Sequence, residues 1–447
     1  MNSLKFLVLF IVLLIILLVV QWKFGIIQKI SPQEIIEPSN IIIIGIDGAG
    51  WNVIDNLLEK GVLPNIQAMM KEGSYGTLKT IKPTKSAVIW TSIATGKSML
   101  KHGVVDWYYL KKNNIRVPFR QSERRAKAFW NIFGDLGYSV GIINWFITFP
   151  PEEVNGYMVS EEFRHISEHD YPDTAICYPR TLQKKLSMFK RTKKDYLEII
   201  KNENLPNFRK YAKNVSNNSL IKFYHNYVVQ DKIVELASLY LIERWPTEVY
   251  ATYFRLIDVV SHFAAGLIDQ SLLQRAEKET QESELSPETI KKIDKSFSEV
   301  LEPIYAYSDR IIGRILNKVN PNSLILIISD HGFVFERGGY GHTNTTKIPH
   351  GIILVKGPCI RKNYKIKDAH IYDLLPTLLY SFDLPVAKDM DGKVLTEIFT
   401  DRFLKKKKIR YIESYESDDV RNIKSKKRNE KLDKKYLEEL KALGYIK

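Results

Sequence analysis

The chain has 447 residues, 45% of them apolar and 26% charged, with a formal net charge of +15 and two cysteines, Cys177 and Cys359. That length holds one large α/β domain or two modest ones. Two cysteines exclude a disulfide scaffold and any cysteine-based metal cluster, and nothing requires the pair to bridge. The basic balance either favours anionic partners (phosphate esters, anionic lipid headgroups or nucleic acid) or is a solvated lysine-rich surface.

The N-terminal run "FLVLFIVLLIILLVV" (6–20) has no polar residue, and its apolar character continues to Ile27. At about 1.5 Å of helical rise per residue it can cross a hydrocarbon core about 30 Å thick. A cleaved signal peptide needs small residues at its cleavage site, and no alanine precedes Ala49. Residues 1–27 are therefore expected to be an uncleaved single-pass anchor, followed by a polar spacer at 28–38. The flanking lysines Lys5, Lys23 and Lys29 leave its orientation nearly tied.

"NIIIIGIDGAG" (40–50) reads as a parallel strand buried on both faces and ending in Asp47. "LPNIQAMMKEG" (63–73) reads as a helix stopped by Gly73, and "SAVIWTSIATG" (86–96) as a buried helix. "RRAKAFWNIFGDLG" (124–137) is a helix feeding the strand "YSVGIINW" (138–145). Residues 163–245 carry few strand signals and several helical periods, and are expected to form a helical cap inserted into the core. The core resumes with the strand "EVYATYFRLID" (248–258), a long helix starting at Ser286, the strand "LILIISDHGF" (324–333), the strand "GIILVKGP" (351–358) and the helix "AHIYDLLPTLLYSF" (369–382). The tail, 401–447, is lysine-rich and suits an anionic membrane surface. Alternating strands and helices imply an α/β fold with a mostly parallel central sheet covered on both faces.

Open parallel sheets bind ligands beyond the carboxyl ends of their strands. Asp47, Asp258 with His262, and Asp330 with His331 all fall at such ends. Each has a plain structural reading: a helix cap, a satisfied core histidine, a turn. Together, three converging carboxylates would repel one another, and a dication removes that cost. Mixed Asp/His ligation suits zinc, with manganese as the alternative, and five groups exceed the needs of one tetrahedral ion. His342 and His350 both offer a further ligand. Ser86, where a loop turns into a helix, is either an N-cap or a nucleophile at a helix start that favours phosphate.

With these residues assembled, the chain resembles the alkaline phosphatase superfamily, in particular its type I phosphodiesterase/nucleotide pyrophosphatase branch. "IIIIGIDGAG", "PTKSAVIWTSIATG", "FITFPPEEVNGYMVS", "YFRLIDVVSH", "VLEPIYAYSDRIIGRIL", "ISDHGF", "HGIILVKGP", "DLLPTLLYSFDLPVAKDMDGKVL" and the terminal "LKALGYIK" follow the family's order. The resemblance implies a catalytic domain over 39–400 and two divalent ions. Asp47, Ser86, Asp330 and His331 would bind one; Asp258, His262 and His342 the other. His342 is preferred to His350 for its distance from Gly357-Pro358. Ser86 stands where that branch usually has threonine, and Ile89 where it has a phosphate-contacting asparagine. Val88 and Trp90 replace the Pro and Arg of sulfatases, which argues against sulfatase chemistry. The expected activity is hydrolysis of phosphate esters through a phosphoseryl intermediate on Ser86, with the catalytic domain outside the cytoplasm and no specific nucleic acid bound. The alternatives are transfer of the phospho-group to a lipid or glycan acceptor and a non-catalytic binding module.

Overall fold

Six consecutive β-branched or glycine residues, "IIIIGI", make the central strand, because a strand covered on both faces has no polar side to show. The computed structural model describes residues 37–447 apart from 169–170, 172–173, 202–217, 265–267, 269, 283–284, 337–338, 343–344, 417–428, 444 and 447. The expected anchor and nearly all of the spacer lie outside the described residues. No described helix is long and apolar enough to cross a membrane.

The body of the sheet consists of β1 (Ile41–Ile46), β2 (Ser74–Lys79), β3 (Val140–Ile143), β4 (Gly156–Val159), β5 (Val249–Phe254), β6 (Leu324–Ile328) and β7 (Gly351–Lys356). Their spatial order is β2-β7-β6-β1-β5-β3-β4. The stretch from β6 to β4 is parallel throughout, with Ile44 in register with both Thr252 and Ile327. β7 runs antiparallel to β6 and to β2. The sheet is thus mixed at one edge and parallel at its centre, where the strand ends meet. Alternation along β1 serves two cores: Ile42, Ile44 and Ile46 pack into one helical layer, Ile41 and Ile43 into the other.

Two details of this packing place Ser86, Asp258 and His262. Gly45 is the gap into which Trp90 fits: a Cβ there would lie 2.7 Å from the indole ring. Trp90 belongs to the helix Ser86–Thr95, which is buried along its whole length and ends at the left-handed Gly96. The second detail departs from the expected strand 248–258. β5 stops at Phe254 because the Asp231 carboxylate takes the backbone N–H groups of Arg255 and Leu256 (3.3 and 3.0 Å), and the helix Leu256–Ala264 begins there. Asp258 and His262 therefore lie one turn apart on a helix rather than at a strand end. The long helix runs Pro287–Leu316, with Ser286 as its expected N-cap accepting from Thr289 N (3.2 Å).

The described part of 163–245 contains a short strand as well as helices. Cys177–Tyr178 extends the sheet antiparallel to β4. The helix Asn218–Arg244 lies on the sheet face, with Ser238 hydrogen-bonded to Thr252 of β5 (2.8 Å) and Glu235 accepting from the Tyr307 hydroxyl (3.1 Å). Cys177 and Cys359 are free, buried thiols.

Within the lysine-rich tail, the helix Glu430–Ala442 docks on the core through Leu432, Tyr436 and Leu440, spaced at i, i+4, i+8, while Lys434 and Lys435 face solvent. Glu439 accepts a hydrogen bond from Arg255 (2.6 Å) and lies 3.7 Å from Arg164 and 3.5 Å from His165. Asp433 pairs with the buried Arg120 (2.9 Å). Asp433 and Glu439 reach buried arginines while Lys434 and Lys435 stay out, so docking here is to the chain's own arginines.

Burial opposes a charge on His165, but Glu439 and Glu168 together outweigh it and raise the imidazole to a pKa of about 9. A raised pKa stabilises the fold below the ordinary value of 6.5, and the contribution is lost as pH rises through about 9. Denaturant unfolding at pH 6 and pH 10 should show wild type losing on the order of 2–3 kcal/mol more than His165→Gln over that interval. Parallel losses in the two proteins would contradict the pairing.

Candidate active site

β1 ends at Ile46, so Asp47 is the first residue beyond the sheet. Gly48 follows with a left-handed backbone (φ 76°), and a Cβ there would lie 2.7 Å from Asp258 Cα, so glycine lets the two aspartates approach. β6 ends at Ile328 and releases Ser329, Asp330 and His331 beside them. Ser329 Oγ accepts from Ala49 N (2.9 Å) and donates to His331 O (2.8 Å), stitching the two strand ends together. His342 arrives from the loop after Gly339–Gly341. Ser86 opens its helix at the first helical position; the N-cap is Lys85, so the hydroxyl is not spent on capping.

These side chains form two adjacent groups. In the first, Ser86 Oγ lies 3.5 Å from Asp47 Oδ1 and 3.3 Å from His331 Nε2, and His331 Nε2 lies 3.4 Å from both Asp47 Oδ1 and Asp330 Oδ2. In the second, His262 Nε2 and His342 Nε2 are 3.0 Å apart, and each is 3.6 Å from Asp258 Oδ1. Asp258 Oδ1 is 3.9 Å from His331 Nε2, which makes the groups neighbours. His350 belongs to neither: its Nδ1 accepts from Thr80 N (3.2 Å) and steadies the end of β2.

The donor set fits divalent cations. Four ligands about 2.1 Å from a tetrahedral zinc lie about 3.4 Å from one another, the spacing found in both groups. Among the described residues, Asp258 Oδ1 and Asp330 Oδ2 are buried without a hydrogen-bond partner, a costly state for a carboxylate oxygen unless a cation takes it. The histidine tautomers agree. His331 Nδ1 lies 3.1 Å from Gly332 O and His342 Nδ1 3.1 Å from Thr84 O. A carbonyl only accepts, so each Nδ1 carries the proton and each Nε2 turns a bare lone pair inward.

Electrostatics show the same demand. Burial, then the charges of Asp330 and Asp258, push Asp47 well above the usual carboxylate range. Burial raises Asp330 to about 7, with Asp258 adding to the shift. Burial also acts to raise Asp258, but His262, His342 and His331 prevail and hold it low. His342 is depressed by burial and by the other two histidines.

Two tyrosines complete the site without having been anticipated. Tyr253 of β5 donates to Asp47, and Tyr445, near the end of the chain, donates to Asp258. Tyr253 lies within β5, in register with Gly45 two residues before Asp47; Tyr445 had no signal beyond the ending "ALGYIK".

A family model described as Type I phosphodiesterase / nucleotide pyrophosphatase matches residues 41–348. The chain belongs to this family. It is an enzyme of the alkaline phosphatase superfamily that hydrolyses phosphoric esters with the help of metal. Among solved structures, a putative sulfatase from Bacteroides thetaiotaomicron is similar at 13% identity, with 81% of this chain and 74% of that one covered and a TM-score of 0.50. Human ectonucleotide pyrophosphatase / phosphodiesterase 5 matches at 12% identity (81% and 100% covered, TM-score 0.47). The phosphonate monoester hydrolase of Silicibacter pomeroyi matches at 12% identity (81% and 78% covered, TM-score 0.46). No curated protein matches the chain.

Replacing a histidine inside the cluster should cost more than replacing one outside it. His342→Ala is expected to lower the bound divalent metal and reduce phosphoesterase activity by about a hundredfold, while His350→Ala stays within a few fold of wild type. Metal analysis and initial rates on both variants would show it; equal losses would contradict the placement of His342.

Proposed function

We propose that the protein is a two-metal phosphoesterase of the phosphodiesterase/pyrophosphatase class, acting through a phosphoseryl intermediate on Ser86. The observation that carries this reading is the position of the Ser86 hydroxyl, buried, at a helix start and within 3.5 Å of ligand atoms from two different strand ends.

Asp47, Ser86, Asp330 and His331 would hold one ion, and Asp258, His262 and His342 the other; zinc suits this mixture of carboxylate and imidazole, with manganese as the alternative. When bound, paired dications neutralise phosphate charge and ease removal of a proton from a nearby hydroxyl. The remaining work falls to the chain itself. The Ser86–Thr95 helix directs backbone N–H groups and the positive end of its dipole at the phosphate. Ser86 Oγ attacks phosphorus, an O–P bond forms, and the ester O–P bond breaks to release the alcohol or phosphate. Water then attacks the phosphoseryl phosphorus, frees Ser86 Oγ and yields the second product. Trp90, seated against Gly45, sets the depth of the helix and so the reach of Ser86. The net charge of +15 suits approach of an anionic ester.

The same reading places the enzyme at a membrane. The apolar run at 6–20 supports a single-pass N-terminal anchor; the extracytoplasmic side for the catalytic domain rests on the family resemblance, with Lys5 retained inside.

Ser86→Ala is expected to lower kcat on diester and monoester substrates by about a thousandfold, since an interaction confined to the reacting state is lost. Acid quenching of wild type with a radiolabelled phosphate ester should trap label on Ser86 and none in the variant. Equal turnover by both proteins would remove Ser86 from the reaction.

A further inference from the structure

The end of the chain reaches the middle of the site. Its path is anchored by Glu439, set among Arg255, Arg164 and His165, and six residues later Tyr445 meets the metal-ligand cluster. The Tyr445 hydroxyl donates to Asp258 Oδ2. That leaves Oδ1 of the same carboxylate aimed at His262 and His342, 3.6 Å from each. The ring stands edge-on to His262 (centroids 5.1 Å apart) and stacks on the buried Trp107 at 4.9 Å and 19°. Burial, then the Asp258 charge, keeps the phenol protonated and therefore a donor.

The first group has the same device built differently. Tyr253 donates to Asp47 from within β5, where strand pairing fixes its backbone. Among the described residues Asp258 accepts from no phenol of the sheet, and its donor is Tyr445, beyond the C-terminal helix.

We propose that Tyr445 is a positioning residue: the docked C-terminal strap uses its hydroxyl to hold Asp258 in the one-oxygen geometry that the His262/His342 ion needs. The proposal rests on the reading of Asp258, His262 and His342 as a metal group. A partner outside the ligand shell that fixes a ligating carboxylate is worth about 10- to 100-fold in metal affinity or activity. It also implies that the site is complete only once the chain's end has docked.

The test uses the full chain and zinc. Tyr445→Phe keeps the ring and its stacking and removes only the hydroxyl. In competition with a chelating indicator, Tyr445→Phe should release its weaker zinc equivalent at least about tenfold more readily than wild type. In rate measurements kcat should fall by a similar factor with KM within about twofold. A chain ending at Ala442 should show the same loss or more. Wild-type zinc affinity and kcat in Tyr445→Phe would overturn the role of the hydroxyl. Asp258→Asn separates the two claims: if it binds zinc as wild type does, the metal group itself is misread, whatever Tyr445 does.

Discussion

Three aspartates, Asp47, Asp258 and Asp330, share one buried corner in which Asp258 Oδ1 and Asp330 Oδ2 have no hydrogen-bond partner among the described residues. Mutual repulsion of buried carboxylates is the constraint on which the rest of the structure depends. Arginines elsewhere in the interior are committed to other acids: Arg255 to Glu439, Arg120 to Asp433, Arg124 to Glu152. What faces the three aspartates instead is imidazole, with the protons of His331 and His342 turned away to backbone carbonyls. A cation bound in such a corner would relieve that repulsion.

The sheet supplies precision. Parallel strands β1 and β6 end level with each other, so Asp47 and Asp330 emerge side by side from positions 283 residues apart. Close approach needs the absence of side chains at Gly45 and Gly48: one admits the Trp90 ring and so seats the Ser86 helix, the other admits the backbone of Asp258. Hydroxyls then tie down the ligands. Ser329 bridges two strand ends, and Tyr253 and Tyr445 each occupy one oxygen of an aspartate. These partners set the orientation of groups that do the binding.

The central strands, the Ser86 helix, the N-cap at Ser286 and the grouping of Asp47, Asp330 and His331 were legible in the sequence because each rests on a local rule: an apolar run, a glycine stop, a capping side chain. Asp258 was read as a strand end, since the strand-forming run "VYATYF" is followed by Leu256 and Ile257 with only Arg255 between; the break at Arg255 is made by Asp231, which is close only in space. The choice between His342 and His350 could be made only by resemblance, because both sit in the same loop and tertiary packing sends one to the ligand cluster and the other to Thr80. The C-terminal strap was hidden by its composition. Its lysines dominate the charge count, but its contacts are made by Leu432, Tyr436, Glu439 and Leu440, whose helical spacing was the available signal.

The central claim is that two ions sit in this corner, one per ligand group. Anomalous diffraction at the zinc edge from crystals grown with zinc tests it most directly. The account predicts two peaks about 3.5–4 Å apart, one bounded by Asp47, Ser86, Asp330 and His331 and the other by Asp258, His262 and His342. A single peak, or density at neither group, would contradict it.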